Sequence, residues 1–309
     1  MATALVSGLR AALKSFWAIV RVAIPLTLAL ALLDRLGVLP WVSGLAKPFM
    51  NLLGLPGEAV LALLASVFCN TYVAAAVALS LPLDLRTATI LAVMVLTAHN
   101  VFSESVAMKR TGSSATKMIL MRLGYACAAA FAFKLLLPSY LRYSVFSSVA
   151  AGPRPSFLGM LAAWARAEGI LAYKLALLLV AVSLAKAYLS EFDALGPLSR
   201  LLAPAMRLLG LSRDASLPWV ASQVIGYFRS AEILEAQVKS GGLKPQESDL
   251  VNHCTAICHS LLEETLLFGL LGIPLFWLTV PRLCMALVPV WFERLRRRIF
   301  RRSFRVGTV

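Results

Sequence analysis

Two short polar stretches inside apolar segments carry the residues best suited to chemistry. They are residues 98–105, AHNVFSES, and residues 258–265, CHSLLEET. In each stretch a polar residue follows the histidine, and a glutamate lies four positions further along. Asn100 and Glu104 therefore share one face of a helix, and Ser260 and Glu264 do the same. Ionisable groups inside a membrane segment cost several kcal/mol and normally face a partner, a cavity or a pathway. The two stretches therefore predict a shared site that binds a polar solute or relays protons.

The predicted solute-binding residues also include polar groups from two other apolar segments. Asn70 lies in the middle of residues 57–81, and Gln223 lies in the middle of residues 215–235. The full predicted set is His99, Asn100, Glu104, His259, Ser260, Glu263, Glu264, Asn70 and Gln223. In a competing interpretation the histidines only hydrogen-bond across helices, and the carboxylates lie at the membrane interface.

Other chemistry has weaker support in the sequence. The chain carries no phosphate-binding glycine loop, no serine nucleophile elbow and no His-Glu-x-x-His stretch, so we expect neither an enzyme nor a cofactor. Cys254 and Cys258 share a helical face near His259, which is a soft donor set for a transition metal. The first half has Met94 and Ala98 instead of the cysteines, so no metal is assigned. A metal-ion pathway is kept as an alternative function.

The composition identifies the elements that must position these groups. The 309 residues are 60% apolar and 15% charged, whereas soluble domains are roughly 45–50% apolar and about 25% charged. This indicates a polytopic helical membrane protein in a lipid bilayer. The formal net charge of +15 is typical of cytoplasmic loops and of a basic tail that contacts anionic lipid, so no nucleic-acid partner is expected.

The sequence also contains an internal duplication. Residues 48–55, PFMNLLGL, match residues 204–211, PAMRLLGL, and from His99 onward the offset between the copies is 160 residues, so that Arg122 matches Arg282. We expect each arginine to pair with the glutamate of its own half or to reach the headgroups. The predicted domains are a first repeat at 1–137, a linker at 138–156, a second repeat at 157–292 and a basic cytoplasmic tail at 293–309.

The relative orientation of the halves depends on residues 57–81 and 215–235. If both segments enter the membrane and turn back, each half crosses three times and the halves are inverted. Compared with parallel halves, inverted halves place a larger excess of Lys and Arg on one side of the membrane. That side is then the cytoplasmic one, and both termini lie on it. Inverted repeats with broken helices are a recurrent architecture of secondary transporters. The predicted fold is therefore an all-α polytopic membrane protein of two homologous, inverted halves with broken or re-entrant helices.

The same two polar stretches resemble the nucleoside-recognition, or Gate, domain family. That family includes spore maturation membrane proteins and the Gate domains of the ferrous-iron transporter. The resemblance implies one Gate-like unit in each half, although Asn100 and Ser103 stand where the second half has Ser260 and Glu263. It implies a transporter or gated permease-like protein for a small polar solute, with a nucleoside as one candidate. A non-transporting membrane scaffold or accessory subunit is the main alternative, and the oligomeric state stays open.

Overall fold

The computed structural model describes residues 2–138, 141 and 156–300, which form helices joined by short turns and contain no strand. The first half comprises α1 Ala2–Arg35, α2 Val38–Leu52, α3 Ala59–Phe68, α4 Thr71–Leu79, α5 Leu85–Ala98, α6 Val101–Arg110 and α7 Ala115–Leu136. The second half comprises α8 Phe157–Glu191, α9 Leu195–Leu202, α10 Ser216–Val224, α11 Tyr227–Lys239, α12 Pro245–Ile257, α13 Leu261–Leu270 and α14 Leu275–Phe300. Two 3-10 segments, Ala203–Arg207 and Arg213–Ala215, lie between α9 and α10. The predicted all-α polytopic fold is confirmed.

Each half contains a hairpin of two short helices. At 1.5 Å per residue, α3 and α4 are each about 15 Å long, which is half the hydrocarbon thickness of a bilayer. The two helices pack against each other, as α10 and α11 do, so the chain enters the membrane and turns back. The first turn is at Asn70, and the second is at Gly226, whose φ of 98° favours glycine. Both segments are therefore re-entrant.

Each half also contains one crossing that is broken in the middle. Helix α5 is separated from α6 at Asn100 (φ 47°), and α12 is separated from α13 at Ser260 (φ 52°), so both residues are left-handed. The backbone N–H of Asn100 donates to the carbonyl oxygen of Ser66 over 2.9 Å, and that of Ser260 donates to the carbonyl oxygen of Ser222 over 2.8 Å. The two acceptors belong to the hairpin helices α3 and α10. Each hairpin thus satisfies a backbone group that the adjacent broken helix exposes, as a membrane interior requires.

The first helices of the two halves are antiparallel. A Cβ atom on Gly8 of α1 would lie 3.1 Å from the Cα of Leu184 near the end of α8. Further along α1, the indole N–H of Trp164, near the start of α8, donates to the hydroxyl of Thr27 over 3.2 Å. Because α1 and α8 occupy matching positions in the two halves, the halves run in opposite directions through the membrane. The expectation of inverted repeats is confirmed.

Five segments are long and apolar enough to cross a membrane, and within the described residues the broken pair α12–α13 makes a sixth crossing. The five are Thr3–Arg35, Leu85–Arg110, Ala115–Leu136, Phe157–Glu191 and Leu275–Phe300. An even number of crossings places the two described ends on the same side. Helix α5 lies at the centre of the molecule and is buried along almost its whole length.

The C-terminal basic residues differ in part from the expected tail. Residues 293–300 continue α14, and three arginines of this segment, Arg294, Arg296 and Arg297, contact carboxylates of the protein itself. Arg294 donates to Glu247 over 2.8 Å, and Arg296 donates to Glu293 over 2.6 Å. Residues 301–309 of the predicted tail, and residues 139–140 and 142–155 of the predicted linker, lie outside the described residues.

Candidate functional site

Two histidines and two glutamates from opposite halves meet at the centre of the protein. The Nε2 atoms of His99 and His259 are 3.1 Å apart. Glu264 Oε1 lies 2.9 Å from His99 Nε2, and Glu104 Oε1 lies 3.3 Å from His259 Nε2. Each carboxylate therefore contacts the histidine of the other half. All four side chains are buried, which makes this central cluster an occluded site.

The broken helices fix both imidazole rings. Each histidine follows the last turn of a half-helix, where its Nδ1 faces the carbonyl oxygen of the residue four positions earlier. The distance is 3.3 Å from His99 to Val95 and 2.7 Å from His259 to Thr255. A carbonyl oxygen only accepts hydrogen bonds, so Nδ1 carries a proton in both rings. Both Nε2 atoms are consequently directed at the shared centre.

Two fully buried arginines hold the breaks in the helices. Arg122 donates to the carbonyl oxygens of Thr97 (2.9 Å) and His99 (2.7 Å) and to Glu104 Oε2 (2.6 Å). The expected pairing of Arg122 with Glu104 is thus present. Its counterpart Arg282 donates through NH2 to the carbonyl oxygens of His259 (3.0 Å) and Leu96 (3.2 Å), and its Nε and NH1 have no partner.

Sequence reasoning missed three side chains beside the cluster. The hydroxyl of Thr71 donates to Glu264 Oε1 over 3.2 Å. Tyr72 and Lys186 both contact the carboxylate of Glu263. Thr71 and Tyr72 directly follow Asn70, where a polar residue interrupts an apolar segment. This interruption is the sequence signal that could have indicated them. Lys186 lies within the apolar helix α8, where an unexplained cation could have pointed to a carboxylate partner.

The other predicted site residues lie around the cluster rather than in it. Asn70 caps α4 by accepting a hydrogen bond from the backbone N–H of Val73 at 2.9 Å. Gln223 donates to the carbonyl oxygen of Cys258 over 2.9 Å, while its buried Oε1 has no partner. Asn100 and Ser260 supply the left-handed backbone of the two breaks. Their geometry positions the histidines, and a direct contact with solute stays a prediction.

The cysteines do not join the central donors. Cys254 and Cys258 pack in an apolar cluster with Leu211 and Ile257. Within the described part of the chain, the metal-ligating atoms that converge belong to His99, His259 and Glu264. A metal path through the cysteines therefore has no support from their placement.

A second polar network lies away from the central cluster. His253 donates from Nδ1 to the carbonyl oxygen of Asp249 over 2.6 Å, and its Nε2 is 3.9 Å from Glu293. Asp249 accepts from Ser113 over 2.5 Å, and Lys117 donates to Glu293 over 2.8 Å. This network ties the first half to α12 and α14. His253 is thus a buried histidine with a structural role.

Inverted halves, re-entrant hairpins and broken crossings around an occluded polar centre define a transporter-like membrane protein. Comparison with known proteins agrees with that class. Residues 16–115 match the Gate family, described as nucleoside recognition. The chain is 30% identical over 294 residues to the uncharacterized membrane protein YvoD of Bacillus subtilis (strain 168), covering 92% of this chain and 94% of YvoD. No solved structure matches the chain. The chain belongs to the Gate family of membrane proteins, as the resemblance of its polar stretches implied.

Proposed function

We propose that this protein transports a small polar solute across the membrane and that the central cluster is its solute site. The observation that carries the proposal is the meeting of His99, Glu104, His259 and Glu264 from matched positions of inverted halves. Four ionisable groups buried in a membrane protein are costly, and such groups mark substrate or ion pathways. Holding helices together would not require a histidine–glutamate contact from each half at the same centre.

The hairpins supply the moving parts in this proposal. The cluster is closed on all sides, with Glu264 only 8% exposed, so the described conformation is an occluded one. The backbone bonds from Asn100 to Ser66 and from Ser260 to Ser222 join each hairpin to one break. Movement of one hairpin would open the cluster to one side, and movement of the other hairpin would open it to the opposite side. Inversion of the halves thus supports alternating access.

A nucleoside is the first solute to test, since the family description names nucleoside recognition. The carboxylates and the Nε2 atoms of the imidazoles offer acceptors that suit hydroxyl and amine groups. We further propose that both termini are cytoplasmic and that arginines at the end of α14 contact anionic headgroups. The alternative of a non-transporting scaffold would use the same four groups only to bind helices together.

Uptake into proteoliposomes separates transport from a scaffold role. Purified protein is reconstituted and supplied with labelled nucleosides and nucleobases, with protein-free vesicles as background. Glu264→Gln removes a charge from the central cluster, whereas the matched control Glu232→Gln alters an exposed ion pair with Arg229. We expect uptake by the wild type and the control, and a loss of at least tenfold in Glu264→Gln. Absence of uptake for every solute by folded wild-type protein would reject the proposal.

A further inference from the structure

The contact between the two imidazoles sets a condition on what the centre must hold. Because both Nδ1 atoms donate to carbonyl oxygens, each neutral ring carries its lone pair on Nε2. At 3.1 Å, two such lone pairs would face each other directly. The centre must therefore hold positive charge, either as a cation or proton between the rings or as protons on both rings that face the carboxylates.

The surrounding donors match the ligand set of a divalent transition metal. His99 Nε2, His259 Nε2 and a carboxylate oxygen of Glu264 all lie within 4.8 Å of one another, and all three residues are buried. With metal–nitrogen bonds of about 2.0–2.1 Å, the edges of a tetrahedral site are about 3.3 Å long. The separations of 2.9 Å between His99 and Glu264 and 3.1 Å between the two histidines are close to that length, as is the 3.3 Å between His259 and Glu104. Imidazole and carboxylate donors favour zinc, iron, cobalt or manganese over calcium or magnesium.

The hydrogen bonds that would orient both histidines toward a metal ion are already present. Metal-binding histidines usually donate their other ring N–H to a carbonyl oxygen or a carboxylate, as both histidines do here. Glu264 Oε2 is buried without a hydrogen-bond partner, which leaves an oxygen free for a ligand. Glu104 is the fourth available donor, since its Oε1 lies 3.3 Å from His259 Nε2 while Arg122 holds its Oε2.

We propose that the central cluster binds one divalent transition-metal ion through His99, His259 and Glu264, with Glu104 as the fourth ligand. The inference rests on the proposed function, because it names an ion for the same site. In this site the metal ion would bind to the Nε2 lone pair of both histidines.

The test is metal binding by the purified full chain in detergent. Co²⁺ serves as the spectroscopic probe and Zn²⁺ as its competitor in equilibrium dialysis. We expect one Co²⁺ per chain with the absorption of a tetrahedral nitrogen–oxygen site, and displacement of this Co²⁺ by Zn²⁺. No stoichiometric binding to folded wild-type protein would overturn the proposal.

The third histidine of the chain provides the matched control. His259→Gln should weaken Co²⁺ binding by more than about 100-fold, because it removes a ligand rather than an outer-shell partner. His253→Gln, outside the central cluster, should bind as the wild type does, and so should Cys254→Ser. Unchanged binding in folded His259→Gln would refute the site. Metal binding without uptake would reject transport alone, and uptake without metal binding would reject only the metal site.

Discussion

Removal of Arg122 should damage the protein more than removal of its repeat-related partner Arg282. Arg122→Met deletes the cation that holds the buried carboxylate of Glu104 at 2.6 Å and two bonds to backbone carbonyls. Breaking a buried ion pair by removing one partner costs about 3–5 kcal/mol, because the remaining charge is uncompensated. We therefore expect Arg122→Met to lower the free energy of unfolding by about 3–5 kcal/mol.

Arg282→Met is the matched comparison. Arg282 is equally buried, but it donates only to two carbonyl oxygens, and two of its nitrogens have no partner. Unsatisfied buried donors are themselves costly, so their removal offsets part of the lost hydrogen bonding. The expected loss for Arg282→Met is about 1–2 kcal/mol, clearly smaller than that for Arg122→Met.

Equilibrium unfolding in mixed detergent and SDS micelles, followed by tryptophan fluorescence, measures both changes. The double variant Arg122→Met/Glu104→Gln adds a second test, because it neutralises the carboxylate that the first substitution leaves unpaired. We expect it to recover at least about 1.5 kcal/mol relative to Arg122→Met, the energy scale of hydrogen bonds to charged groups. Equal losses for the two arginines, or no recovery in the double variant, would refute the assigned ion pair.

Two further predictions concern packing and topology. Gly57→Ala should lower the melting temperature of the detergent-solubilised protein, because the added Cβ would lie 2.2 Å from the carbonyl oxygen of Ser43. Gly44→Ala is the control, since a Cβ there meets open space. This substitution should leave the melting temperature unchanged or raise it. In intact cells, a membrane-impermeant maleimide should label Arg35→Cys and not Lys109→Cys, with the unsubstituted chain as background. Labelling of both would support parallel halves and contradict the inverted topology.

Much of the architecture could be predicted because the polar residues that are costly to bury in a membrane occur twice in the sequence, once in each half. A polar cluster within an apolar helix is expensive, and its recurrence at one offset indicates a shared purpose. The recurrence of His99 as His259, and of Glu104 as Glu264, was sufficient to expect convergence. The breaks in the helices could also be predicted, since polar residues interrupt segments whose other residues are typical of membrane helices.

The partners within the site could not be predicted, because they depend on how the halves pack. Each glutamate contacts the histidine of the other half, a pairing that no spacing along one helix reveals. Arg122 and Arg282 occupy matching positions in the two repeats, yet of these two arginines only Arg122 pairs with a carboxylate. Asn70 has a role that the sequence does not indicate, since its side chain caps α4, and its contact with solute stays a prediction.

The asymmetry of the centre follows from the symmetry of the repeat. An inverted duplication brings the same residue from each half to one axis, and here that residue is histidine. Two equivalent imidazoles that approach through Nε2 cannot both present lone pairs, so a single positive charge on the axis must join them or both must be charged. The two carboxylates stabilise that charge, and the different bonding of Arg122 and Arg282 leaves Glu264 as the carboxylate with a free oxygen. A centre in which two carboxylates lie beside two imidazoles is suited to binding a cation, which links the proposed transport to the proposed metal ion.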